Sequence, residues 1–320
     1  MFTVSDLNAN KQCQEAIVNV NGIDIAYQLY GNSDHPTLVL IHGLGAPLTA
    51  WPMAMVEQFV ERGFQVLLFD NRDIGYSQQL EHLKIPNLAW LVVKSKLGLP
   101  INVPYKLEDM MLDTIALVDH LNIKNFHLIG ASMGGMIAQL LAIYYPHRVK
   151  TLTSIMSTTG NKTLPKMSDE VKHIFSAKPD SNSEQDIVKF NVQKWRIIGS
   201  PDYPAQEHYL NNYVKGLVRR GLYGKGTLRQ MLAVMAGKNR EKQLAEINVP
   251  TLVLHGGADP LIRVACGEAT AQSIRNATLK IYPGMGHDFP VELLPSIVSD
   301  ISGHIQTHIK TKKDQCDESV

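Results

Sequence analysis

The sequence predicts an α/β fold: a mostly parallel sheet with helices on both faces and a helical block inserted between two strands. Three observations predict it. Short, wholly apolar runs alternate with stretches of helical spacing along most of the 320 residues, the pattern of parallel strands covered by crossover helices. The alternation lapses from about Ser157 to Glu246, where no strand signal occurs, and resumes at Thr251. Three of the apolar runs end in glycine-bearing loops that carry a serine, an aspartate and a histidine, and open α/β sheets keep their sites at such carboxyl ends.

Taken in order, Ala16–Val20 and Ile23–Leu29 flank Asn21-Gly22, a hairpin turn signal. Thr37–Ile41 is a short buried-strand run that enters His42-Gly43-Leu44-Gly45. A helix over Met53–Arg62 closes on Gly63, and Phe64–Phe69 is a strand ending at Asp70-Asn71-Arg72-Asp73. Leu80–Pro104 has mixed character and yields no element. Leu107–Leu121 has helical spacing, with Glu108 and Asp109 in its first turn. The strand Phe126–Ile129 leads to helix formers from Met136 through Ala142, and Thr151–Ile155 is a further strand. Inside the strandless block, Glu184–Ile197 and Thr227–Ala236 read as helices. Thr251–His255 and Thr278–Tyr282 are the last strands, and Leu293–Thr307 the last helix. The expected organisation is a core over 1–156, a helical cap over 157–246, the rest of the core over 247–310, and a charged, disordered tail over 311–320.

Composition narrows the function classes. The chain is 44% hydrophobic and 19% charged, enough apolar material for a buried core. Its 31 basic and 30 acidic side chains nearly cancel, so nothing points to nucleic acid or an acidic membrane surface as a partner. Cys13, Cys266 and Cys316 are scattered and odd in number, without disulfide or metal-ligand spacing, which fits a reducing compartment. The polar start lacks an apolar signal region and no run is long enough to span a bilayer, so a cytoplasmic location is expected.

The chemistry concentrates in Gly130-Ala131-Ser132-Met133-Gly134. A serine between two glycines at a strand-to-helix turn is a nucleophile elbow: the turn strains the serine backbone, and side chains at either glycine would meet the neighbouring strand and helix. The second loop is Gly256-Gly257-Ala258-Asp259-Pro260, the third Gly284-Met285-Gly286-His287-Asp288. Serine needs a base, histidine supplies one, and a carboxylate holds the imidazole in the right tautomer. Each has a plainer alternative: Ser132 as a helix cap, Asp259 as a turn residue before Pro260, and Asp288 as a rival acid whose adjacency to His287 makes a side-chain bond awkward.

On four segments, His42-Gly43-Leu44-Gly45, Asp70-Asn71-Arg72-Asp73, Gly130–Gly135 and Gly284–Asp288, the chain resembles the α/β-hydrolases from about Val18 to Ile305. Within them it is similar to carboxylesterases and the aclacinomycin methylesterase-like group. The resemblance implies a small-molecule ester as substrate, Ser132 as nucleophile, His287 as base and Asp259 as acid. It implies the backbone N–H groups of Leu44 and Met133 as oxyanion donors, and no metal or organic cofactor. The form His-Gly-Leu-Gly, rather than Gly-Gly-Gly, implies little activity on esters of bulky tertiary alcohols. A serine at the elbow argues against haloalkane dehalogenases and epoxide hydrolases, which use aspartate there. The same three residues serve a C–C bond hydrolase, which calls for a basic residue such as Arg196 facing Ser132, or a cofactor-free perhydrolase. A non-catalytic binding protein on this fold is a further alternative, and the sequence leaves the oligomeric state open. Elsewhere, His42 and His255 are expected to shape loops, Asp70 and Arg72 to form an internal ion pair or a loop-bracing set, and Met133, Met136 and Met285 to line the site. Trp195, Tyr203 and Tyr209 are candidates for substrate contact.

Overall fold

The computed structural model describes residues 13–317 apart from 88, 89, 92, 95, 96, 98 and 100, with side chains to residue 309. Its sheet begins with a hairpin, β1 (Cys13–Val20) and β2 (Ile23–Tyr30), antiparallel. Asn21 and Gly22 both take positive φ, 52° and 78°, the backbone that makes such a two-residue turn match strand twist. β2 then pairs antiparallel with β4 (Gln65–Phe69). The other neighbours are parallel: β3 (Thr37–Ile41), β5 (Phe126–Ala131), β6 (Val149–Ile155), β7 (Thr251–Gly256) and β8 (Thr278–Tyr282). The order is β1-β2-β4-β3-β5-β6-β7-β8. From β3 the chain steps outward to β4 and then returns past β3 to β5, so the carboxyl ends of β3 and β5 flank a switch point, where open sheets leave a crevice for ligands.

Every residue of β3 and β4 is buried, because helices cover both faces. Alternate side chains serve opposite layers. Leu38, Leu40, Val66 and Leu68 pack with α1 (Met53–Glu61) and α10 (Leu294–Asp317). Val39, Ile41, Leu67 and Phe69 pack with α2 (Leu107–His120) and α3 (Met133–Tyr144). This is the period-two alternation of a strand read against two cores. Val264–Ser273 (α9) covers β7 and β8.

Between β6 and β7 the chain forms helices only: α4 (Asp169–Ser176), α5 (Glu184–Ile198), α6 (Glu207–Gly221), α7 (Gly224–Ala236) and the single turn α8 (Glu241–Leu244). Ser168 and Ser183 accept backbone N–H bonds as N-caps of α4 and α5. The pair α5 and α6 carries its own small core, Val188, Val192, Leu210 and Val214, while Leu217 seats it on Ala46 and Ala50.

Among the described residues the sequence misses α4, α6, α8 and α9, and the helical residues 90, 91, 93 and 94. It also ends the last helix early: the backbone stays helical to Asp317, across most of the stretch expected as a tail. Leu80–Pro104, left unassigned, contains the internal residues outside the described set. Among the described residues no helix is long and apolar enough to cross a membrane.

Candidate active site

Ser132 is the hinge between β5 and α3, with φ 55° and ψ −119°, a conformation costly for any residue with a side chain. The surroundings over-determine it. Its N–H donates to Ile155 O at 2.9 Å, and its own carbonyl accepts from Ser157 Oγ at 2.8 Å and from Gly135 N–H at 3.0 Å. A Cβ on Gly134 would overlap Ile41 O, and one on Gly130 would overlap Gly134 O. Glycine at both positions is therefore a steric requirement of seating α3 against β3 and β5.

His287 stands on the loop after β8. Its N–H donates to Ile198 O at 2.7 Å and the preceding Gly286 N–H to Ser200 Oγ at 2.8 Å, so the end of α5 fixes the histidine backbone. Asp259 follows β7 and is 1% exposed. One of its oxygens accepts the N–H groups of Leu261 and Ile262 at 2.8 and 2.9 Å; the other lies 2.7 Å from His287 Nδ1. Burial alone would raise the Asp259 carboxyl. The charge that His287 carries when protonated, the bond from its Nδ1 and the nearby His255 ring outweigh it, holding the carboxyl at about 2. An ionised carboxylate only accepts, so Nδ1 carries the proton and Nε2 is the acceptor facing Ser132 Oγ at 3.0 Å. Asp288 takes no part: its carboxylate accepts from Ser200 Oγ at 2.5 Å.

The backbone of His42-Gly43 passes directly against the serine, since a Cβ on Gly43 would stand 3.0 Å from Ser132 Cβ. Among the described residues, neither Leu44 N–H nor Met133 N–H has a hydrogen-bond partner. Leu44 follows Gly43 and Met133 follows Ser132, so both N–H groups belong to chain segments that meet at the serine.

The nearby histidines are structural. His42 is packed edge-on against Trp51 at 4.9 Å, and its Nδ1 accepts Gly43 N–H at 2.7 Å. Burial, then the charge of His287, lowers its pKa to about 3, so it stays a neutral acceptor. His255 donates from Nε2 to Ile262 O at 2.8 Å and braces the Asp259 loop. Of the two arrangements expected for Asp70 and Arg72, the ion pair between them does not form and the bracing of loops does: Asp70 accepts the N–H groups of Leu48 and Tyr76 at 2.6 and 3.0 Å. Asp70 and Arg72 are both buried, and each takes its partner from a different element: Asp70 from Arg220 on α6 at 3.0 Å, Arg72 from Asp113 on α2 through two bonds of 2.6 Å. Met133, Met136 and Met285 are buried in the two cores rather than facing an open site.

Trp195, Tyr203 and Tyr209 share a cavity of about 270 Å³ with Tyr213, Phe289 and Glu292. Ser132, His287 and Asp259 do not line it; its link to them is the loop that continues from His287 through Asp288 and Phe289. Arg196 is half-exposed and pairs with Glu207 at 3.2 Å, outside that cavity.

Sequence reasoning missed the residues that fasten the inserted helices to the sheet. Arg229 on α7 forks onto Asp73 with bonds of 2.7 and 2.6 Å, Arg220 holds Asp70, and Gln230 bonds to both Gly45 and Arg72. Charged and amide residues on helices look like solvent-facing positions, so the sequence carries no signal for their burial.

Comparison with known proteins agrees with this architecture. The family model described as alpha/beta hydrolase fold matches residues 36–292. A rhodomycin D methylesterase of Streptomyces peucetius is 21% identical over 86% of this chain and 92% of its own length. The 3-oxoadipate enol-lactonase 2 of Acinetobacter baylyi is 26% identical over 81% and 85%. Among solved structures, the enol-lactonase from Burkholderia xenovorans LB400 superposes with a TM-score of 0.68 at 20% identity, covering 91% of this chain and all of its own. An eight-stranded, mostly parallel sheet, a strained serine at the β5–α3 turn and a family match across most of the chain lead to one assignment: the protein belongs to the alpha/beta hydrolase fold family.

Proposed function

We propose that the protein is a serine carboxylesterase that hydrolyses small to medium acyl or methyl esters through an acyl-enzyme on Ser132. The observation that carries the proposal is the continuous relay Ser132 Oγ to His287 Nε2 at 3.0 Å and His287 Nδ1 to Asp259 at 2.7 Å. In it, Ser132 Oγ attacks the ester carbonyl carbon as its proton passes to His287 Nε2. Leu44 and Met133 N–H receive the oxyanion. Collapse expels the alcohol, which takes the proton from His287. Water, deprotonated by the same nitrogen, then attacks the acyl-enzyme and releases the acid. Every step draws on protein groups and water, and a small-molecule ester is the only partner required. The helical block acts as a cap over the crevice. The names of two relatives, a methylesterase and an enol-lactonase, support an ester bond as the target. A C–C hydrolase would call for a basic residue facing Ser132, whereas Arg196 is committed to Glu207.

The test is hydrolysis of p-nitrophenyl esters of increasing acyl length by the wild type and Ser132→Ala. Activity should peak at short or medium chains and fall on the order of 10⁴- to 10⁶-fold in the variant. A wild type that cleaves none of them, or a variant as active as the wild type, overturns the proposal.

A further inference from the structure

The two oxyanion donors are held in different ways. Met133 is the first residue of α3, and the helix fixes its N–H. Leu44 sits in a loop with no regular structure, turned over Gly43–Ala46: Ala46 N–H reaches Gly43 O at 3.3 Å, and Gly45 has φ +65°. A glycine in such a turn admits other turn forms, and a change of form would shift Leu44, whose own N–H lies on the preceding Gly43–Leu44 peptide.

The restraint comes from the inserted block. Helix α7 presses one face onto the core loops: a Cβ on Gly226 would overlap Asp73 O, and one on Gly45 would stand 2.8 Å from Thr227. On that face Gln230 is fully buried. Its Oε1 accepts Gly45 N–H at 2.8 Å and its Nε2 donates to Arg72 O at 2.8 Å. Gly45 N–H can only donate and Arg72 O can only accept, so the amide has a single orientation. Gly45 N–H belongs to the Leu44–Gly45 peptide, so the bond pins the far side of the donor residue and with it the turn form on which the placing of Leu44 depends. Burying an amide and ordering it across two loops costs desolvation and side-chain entropy, and the group it immobilises is the turn beside Ser132.

We propose that Gln230 is a positioning residue of the oxyanion hole, through which the seated helical block sets the geometry of the Leu44 donor. The proposal rests on the esterase function proposed for Ser132. Gln230 touches no substrate atom. Its effect falls where negative charge develops on the carbonyl oxygen, and so on kcat rather than on substrate binding.

The experiment compares wild type, Ser132→Ala, Gln230→Met (same volume, no hydrogen bonds) and Gln230→Asn (too short to span both partners). It measures p-nitrophenyl ester turnover per serine titrated with a phosphonate, and the Ki of a trifluoromethyl ketone, whose tetrahedral adduct places an oxyanion in the hole. Both Gln230 variants should lose about 10- to 100-fold in kcat per titrated serine. KM should stay within about twofold, and Ki should rise by the same factor as the loss in kcat/KM. A merely structural glutamine would lower the titratable fraction and leave kcat per serine and Ki unchanged. That result, in whichever variant folds, overturns the proposal. Wild-type activity that is absent or independent of Ser132 overturns the esterase proposal instead.

Discussion

At the scale of single residues, the site is a division of labour between two neighbouring aspartates that the sequence places in contention. Asp259 and Asp288 both lie near His287, but only Asp259 reaches its Nδ1, at 2.7 Å; Asp288 is spent on Ser200. Asp259→Asn would present His287 with an amide that donates as well as accepts, which destabilises the productive tautomer, and kcat should fall about 10⁴-fold. Asp288→Asn removes one bond worth about 1 kcal/mol and should cost less than about tenfold. Parallel ester kinetics on the two variants check this, and equal losses would reassign the acid. Ser132, Asp259 and His287 were legible because each sits in a glycine-bearing loop after an apolar strand, a pattern local sequence can show. Gln230, Arg220 and Arg229 were not. Their burial depends on partners more than a hundred residues away, Gln230 to Gly45 and Arg72, Arg220 to Asp70, Arg229 to Asp73.

At the scale of elements, the helices α6 and α7 are anchored to the loop after β4 by buried ions. Asp73 is fully buried, as is the Arg229 that forks onto it, and Tyr105 Oη adds a bond at 2.8 Å. Such a pair is worth little against a well-packed apolar replacement, yet breaking it from one side strands a charge. Arg229→Met should therefore cost about 3–5 kcal/mol in chemical denaturation. Adding Asp73→Asn should recover more than half of that loss, because the stranded charge is gone. A double variant no more stable than Arg229→Met would show that the fork is not what fastens α7. Why these helices were harder to read follows from their composition. Leu210, Val214 and Leu217 give α6 a helical stripe, but Asn211, Asn212 and Gly216 dilute it. α9 is built from small residues, Val264-Ala265-Cys266-Gly267 at its start, and offers no strong periodicity.

At the scale of the whole molecule, parallel pairing gathers the carboxyl ends of β3, β5, β7 and β8 on one edge, and so brings Ser132 and His287, 155 positions apart, within 3.0 Å. The strands themselves were legible as apolar runs. Their order was not, because the step from β4 back past β3 to β5 is set by packing between helices and sheet rather than by any local signal. The same dense interior makes stability depend on pH through histidines that folding keeps neutral. His127 in β5 is 4% exposed and bonded to Thr151 Oγ1 at 2.9 Å. Burial, then the charges of His304, Lys150 and His308, lowers its pKa to about 4. Unfolded, it would titrate near 6.5. Above that pH both states are neutral and the term is silent. Between about 6.5 and 4 only the unfolded chain takes the proton, so stability falls with pH by up to about 1.4 kcal/mol per unit, and below about 4 the loss levels off. His42 adds a term of the same sign, while burial of Asp70 and Asp113, which raises both carboxyls, acts in the opposite sense. The difference between wild type and His127→Asn isolates the histidine. Urea denaturation at pH 7.5, 6 and 4.5 should show the wild type losing stability relative to the variant as the pH falls, by about 2 kcal/mol at the last step. A gap that is constant with pH would mean that His127 takes up its proton in the folded sheet as readily as in the open chain.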